Sequence, residues 1–243
     1  MKLSFALCLV ILTSSLGLAQ DAPDVNQPRP ENAANAKPKL IPAWGTAMNP
    51  LGDCEFYTNA IGLVISVPGL PTPHDLAAEI GVTNAPYVVQ PVKGDFTIQV
   101  KIEGRFTPGD QSTKEGRASY NGGGLVLMAD PQNVITLARA VFQFQGDEER
   151  HYVNYEMRSG GQVDGLGSSG DHPLQKDQPV YLRLERRGMT VQGAVSVDGA
   201  NWDLMQSKEI PATWPQDLQA GVAAISSSKE EFNPRFSRLQ MVK

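Results

Sequence analysis

Residues 151–158 read HYVNYEMR and alternate without a break. Extended as a strand, they place Val153, Tyr155 and Met157 on one face and Tyr152, Asn154, Glu156 and Arg158 on the other. A phenol, an amide, a carboxylate and a guanidinium in one row suit a sugar: hydroxyls take hydrogen bonds from the polar groups while a ring face stacks on the aromatic. Arg139 stands near the middle of the preceding apolar run, 134–144, and Arg183 and Glu185 alternate with leucines in residues 180–186. If these runs neighbour one another in one sheet, their polar side chains converge on one surface. The competing reading is a solvated sheet face tied by cross-strand ion pairs. His74, followed by Asp75 after Pro71-Thr72-Pro73, is either a ligand contact at the groove edge or a local hydrogen-bonding residue.

Other chemistry finds less support. Glycoside hydrolysis needs two carboxyl groups about 5 to 10 Å apart, and Glu156 with Glu185 is the one pair that neighbouring strands could present. The acidic run Asp147-Glu148-Glu149 falls at a turn, where side chains diverge into solvent. His74, His151 and His172 show no zinc-type spacing, and the chain has no Cys-x-x-Cys. Gly122-Gly123-Gly124 lacks the Lys-Ser/Thr and the helix of a phosphate loop, so close strand packing explains it better. Trp44 and Trp214 read as buried anchors, and Trp202 as an apolar anchor for a strand.

The elements that must position these residues are strands. Residues 180–186 and 190–197, with a turn at Arg187-Gly188 and another at Asp198-Gly199 before Trp202, form an antiparallel meander with one apolar face. Further strands are expected at 61–67, 87–90, 95–103, 124–128, 134–144, 151–158, 204–208, 220–226 and 235–241, and a short helical turn at 74–80. Eleven strands and no convincing amphipathic helix make an all-β sandwich. Residues 160–177, rich in glycine and serine, read as a mobile insert.

The N-terminus carries one charge, Lys2, before an apolar run from Leu3 to Leu18, with Ala19 ahead of a polar Gln20. Residues 1–19 are expected to be a secretory signal, leaving no membrane span and a secreted or periplasmic protein. Residues 20–40, rich in Pro, Asn and Asp, are expected to be a disordered linker, and 41–243 the domain. Cys8 leaves with the signal, so Cys54 has no disulfide partner and reads as a buried filler. The formal charge of -5 argues against nucleic acid.

Gly94-Asp95-Phe96-Thr97, Gly124-Leu125 before Asp130, the run Tyr152 to Glu156, the run Tyr181 to Arg186 and the segment Ser196 to Trp202 occur in an order that resembles a family. It is that of bacterial secreted domains of unknown function in the concanavalin A-like lectin and glucanase superfamily, which includes laminin G-like jelly rolls. The resemblance implies a concanavalin A-like jelly-roll sandwich of two antiparallel sheets, with one sheet able to present a glycan groove. The Glu-x-Asp-x-x-Glu strand of many glucanases in that superfamily is absent, which argues against catalysis. No cofactor is expected; calcium, with Asp53 and Asp130 as ligands, is the one cation the resemblance leaves open. The expected function is binding of an extracellular glycan or cell-envelope component. The alternatives are a structural or protein-interaction domain, and a hydrolase using Glu156 and Glu185.

Overall fold

The computed structural model describes residues 38–69, 71–167 and 170–243. The signal expected at 1–19 and most of the linker expected at 20–40 lie outside the described residues. Two large antiparallel sheets face each other. The first has eight strands in the order β1 (Lys39–Ile41), β2 (Gly45–Met48), β7 (Tyr87–Lys93), β16 (Asp217–Ser226), β9 (Ser119–Asp130), β10 (Asn133–Gln143), β11 (Arg150–Ser159) and β12 (Gln162–Gly167). The second has seven: β15 (Asp203–Glu209), β14 (Thr190–Ser196), β13 (Val180–Arg187), β8 (Phe96–Glu103), β17 (Arg235–Val242), β4 (Leu63–Ser66) and β3 (Glu55–Thr58). A small ribbon of β5 (Leu76–Ala77) and β6 (Val82–Thr83) lies across the outside of the first sheet.

Period-two patterning builds the sandwich. Phe96, Ile98, Val100 and Ile102 of β8 and Val180, Leu182 and Leu184 of β13 point inward, where they meet Leu125, Leu137, Val153 and Tyr155 of the first sheet. Each such side chain contributes about 2 kcal/mol by leaving water. The meander seen in the sequence is β13–β14–β15, with Leu182 opposite Val195 and Val100. The run Val222 to Ile225 is in the interior of its sheet, between β7 and β9.

The glycines of β9 serve strand packing. A Cβ at Gly124 would stand 2.1 Å from the Leu137 carbonyl oxygen, and one at Gly122 would meet the Tyr120 hydroxyl oxygen at 2.6 Å. Part of the insert expected to be mobile is instead strand: Gln162–Gly167 pairs with β11. The helical turn expected at 74–80 is reduced to a 3-10 turn at Ala78–Ile80.

Candidate functional site

The outer face of the eight-stranded sheet is divided. On one half, Tyr87, Val89, Val126, Met128, Val134 and Ala223 form a second apolar cluster, closed over by Leu76 and Ala85 from the segment that carries β5 and β6. On the other half that cover stops, and a groove of about 490 Å³ opens. Its size falls within the range of small-ligand clefts.

The sheet beside the groove is built of small residues. Across β9 and β10, Gly124 faces Ala138 and Gly122 faces Ala140, and the next partners on β11 are Asn154 and Tyr152. The groove is lined by Tyr120, Tyr152, Asn154, Glu156 and Arg158, with Phe142 and Phe144 continuing the aromatic side. Phe142 meets Tyr152 edge-on at 5.7 Å and Phe144 edge-on at 5.9 Å. Phe144, half exposed, ends this row at the rim. Asp75 and Glu79 wall one side; Lys114 and Arg117 come from the loop before β9.

Most of the charges are paired, with Arg117 standing exposed at the edge. Arg158 donates to Glu156 Oε2 at 2.8 Å and to Glu79 Oε2 at 3.0 Å, and Lys114 Nζ donates to Asp75 at 2.8 Å. Burial works against the Arg158 charge, yet Glu156 and Glu79 outweigh it and hold the guanidinium above its usual range. The Tyr152 phenol is pushed up, first by burial and then by the Glu156 charge. Tyr120, whose hydroxyl end is desolvated, is raised for the same leading reason, against a long hydrogen bond of 3.5 Å from Asn154. Both phenols are therefore neutral donors at ordinary pH.

The row of residues read from β11 thus stands together in the groove: Tyr152, Asn154, Glu156 and Arg158. Four other candidates do not join it. Arg139 pairs in register with Val153 and Gly123 and turns to the sandwich interior. There its guanidinium covers the Phe106 ring at 3.9 Å and Nε donates to the Gln178 carbonyl at 3.0 Å. Burial pushes it down to about 10, against the opposing fields of Asp177 and Glu149. Strand β10 is buried on both faces, so its sequence carries no alternation to label which side Arg139 takes.

Arg183 and Glu185 belong to the other sheet and face outward there. Arg183 lies 3.7 Å over the Trp202 ring and donates to Gln99 at 2.9 Å, while Glu185 accepts from Arg187 at 2.8 Å. Trp202 is correspondingly half-buried on the surface and not a core anchor, unlike Trp44 and Trp214. Glu156 and Glu185 stand on the outer faces of opposite sheets with the core between them, so they cannot flank one glycosidic bond. His74 is buried and turned away from the groove that Asp75 lines, its Nε2 3.0 Å from the Asp53 carboxylate. Asp130 accepts from the backbone of Gln132 and Asn133, as a turn residue does.

Tyr120, Phe142, Phe144, Glu79 and Lys114 went unread in the sequence, whereas Asp75, beside His74, does lie at the groove edge. A tyrosine followed at alternate positions by Gly122 and Gly124 was a usable signal for an aromatic standing out beside small neighbours on one face. Phe142 and Phe144 end a strand that is buried on both faces, and Glu79 and Lys114 come from connecting segments, where no periodicity points.

Comparison with known proteins adds fold and family. The chain resembles a functionally unknown protein from Saccharomyces cerevisiae at 14% identity, over 82% of this chain and 96% of that one, with a TM-score of 0.63. The GH43 BlXynB protein from Bacillus licheniformis matches at 13% identity over 74% of this chain but only 32% of that one, with a TM-score of 0.53. An alginate lyase from Klebsiella pneumoniae matches at 11% identity, over 77% and 83%, with a TM-score of 0.50. At these identities the likeness is one of jelly-roll fold. No curated protein matches the sequence. The family model described as "Protein of unknown function (DUF1349)" covers residues 75–243, the groove and most of both sheets included, and the chain belongs to that family.

Proposed function

We propose that this chain is an exported, non-catalytic module that binds a neutral, hydroxyl-rich glycan in the groove of the eight-stranded sheet. Export rests on the leader-like residues 1–19, and the partner is an extracellular glycan or a cell-envelope component. The observation that carries the reading is the groove's combination of an aromatic rim with balanced charge. Among the described residues its lining holds three acids, Asp75, Glu79 and Glu156, and three bases, Lys114, Arg117 and Arg158. A polyanion would find no surplus of positive charge, whereas sugar hydroxyls can both donate to the carboxylates and accept from the amide, phenols and guanidinium. Phe144 offers a ring face for a pyranose at the entrance. The GH43 protein and the alginate lyase lend a weaker support: the fold of this chain recurs in proteins whose names associate them with carbohydrates.

Catalysis is not part of this reading, because Glu79 and Glu156 are both committed to one guanidinium. The test is a glycan array followed by calorimetry on the purified protein, with and without calcium. Binding of a neutral oligosaccharide is expected, weakened about tenfold in Phe144→Ala by loss of the stacking face. Silence across neutral plant, algal and bacterial glycans would instead favour a structural or protein-interaction domain.

A further inference from the structure

The back of the groove wall holds a second cluster. Asp53 and Cys54 lie in the loop between β2 and β3, and His74 precedes the residues that line the groove. Twenty positions separate Cys54 from His74, and no metal-binding spacing connects them. The fold nevertheless brings them together: His74 Nε2 is 3.0 Å from Asp53 Oδ1, and Cys54 Sγ is 3.5 Å from the same oxygen. No two of the three donor atoms are more than 4.8 Å apart.

These separations correspond to edges of a coordination tetrahedron. With ordinary zinc–ligand bond lengths, a tetrahedron has an imidazole–carboxylate edge of about 3.4 Å and a thiolate–carboxylate edge of about 3.6 Å. A thiolate, an imidazole and a carboxylate together favour zinc over calcium or magnesium, which prefer all-oxygen sites. The three ligands would leave the fourth position open.

Neighbouring hydrogen bonds hold the donors in place. Asn49 Nδ2 donates to the Cys54 carbonyl at 2.7 Å, and Asn49 Oδ1 accepts from the backbone N–H groups of Gly52 and Cys54. His74 is fixed by a pair of 2.8 Å backbone bonds with Ser226, at the end of β16. His74 and Cys54 are buried while Asp53 is partly exposed, and Cys54 also borders a surface pocket, so an ion has a way in. A nucleophilic role for the thiol fits less well, since its neighbour is a carboxylate, which opposes a free thiolate and which a cation would neutralise.

We infer that Asp53, Cys54 and His74 form a zinc site that ties the β2–β3 loop to the segment carrying Asp75 and Glu79. This assignment is independent of what the groove binds.

The test loads the chelator-treated full chain with zinc alone, in competition with a chromophoric chelator, and with cobalt as a spectroscopic substitute. One equivalent of zinc is expected, with a thiolate-to-cobalt charge-transfer band and a raised melting temperature. Cys54→Ser, nearly isosteric, should abolish the band, and both it and Asp53→Asn, at a partly exposed position, should weaken zinc binding about a hundredfold or more. Asn154→Ala, in the groove, should bind zinc as the parent does. Absence of zinc binding by the parent would reduce the cluster to a His–Asp ion pair and overturn the assignment. Zinc bound equally by both ligand variants, or a cobalt spectrum without the thiolate band, would overturn it too.

Discussion

The two outer faces of this sandwich start from the same kind of sequence and end differently. On β11, Tyr152, Asn154, Glu156 and Arg158 alternate with core residues; on β13, Tyr181, Arg183 and Glu185 do the same. The β13 side chains pair within their own face, Arg183 with Gln99 and the Trp202 ring and Glu185 with Arg187, and on the adjacent β8 Lys101 pairs with Glu103. The β11 row instead lies beside small residues and beneath two flanking segments, so Arg158 reaches out of its sheet to Glu79. Alternation supplies a polar face. Whether that face becomes a site depends on what stands next to it and over it.

The two faces should differ first in stability. Arg158→Ala leaves Glu79 and Glu156 partly buried without their common partner and should cost about 3 kcal/mol in denaturant unfolding. A loss below about 1 kcal/mol would mean that the groove pairs are no more demanding than surface ones. Trp202→Ala on the opposite face should cost about 1 kcal/mol, chiefly the Arg183 stack and part of the apolar area. A loss of several kcal/mol would return Trp202 to the core. Arg183→Ala should cost less again, about 0.5 kcal/mol, as an exposed pair does.

A fourth prediction concerns the interior face of β11, where His151 stands near Arg139. Burial lowers the His151 pKa below the ordinary 6.5, helped by the Arg139 and Lys176 charges and opposed by Glu149, so the folded protein holds this ring neutral. The unfolded chain takes up that proton first as pH falls. The stability His151 supports is therefore full above about pH 6.5 and declines as pH falls below it, until the folded pKa is passed. Unfolding midpoints measured between pH 7 and pH 5 should fall less steeply in His151→Phe than in the parent; equal slopes would place the titration elsewhere.

What the sequence made legible follows from the same contrast. The faces of β11 and β13 could be read because their core side alternates with polar residues; many such strands gave the all-β sandwich, and the family resemblance its jelly-roll form. Arg139 could not be placed, because β10 is apolar on both sides and only its register with Val153 and Gly123 settles the matter. Glycine hid two pieces of strand: the start of β9, where Gly122 to Gly124 interrupt the pattern, and β12, where Gly165 and Gly167 do. Most of the groove wall was hidden for a different reason. Glu79 and Lys114 are set by long-range contacts of connecting segments, 39 residues apart in the case of the Lys114–Asp75 pair, and no local period encodes them.

The most direct test of the central claim is calorimetric titration of a neutral oligosaccharide into the parent, into Phe144→Ala and Asn154→Ala in the groove, and into Arg183→Ala and Trp202→Ala on the opposite face. Binding about tenfold weaker is expected in each groove variant, and parental affinity in the other two. Affinity lost on the β13 face and kept in the groove would contradict it.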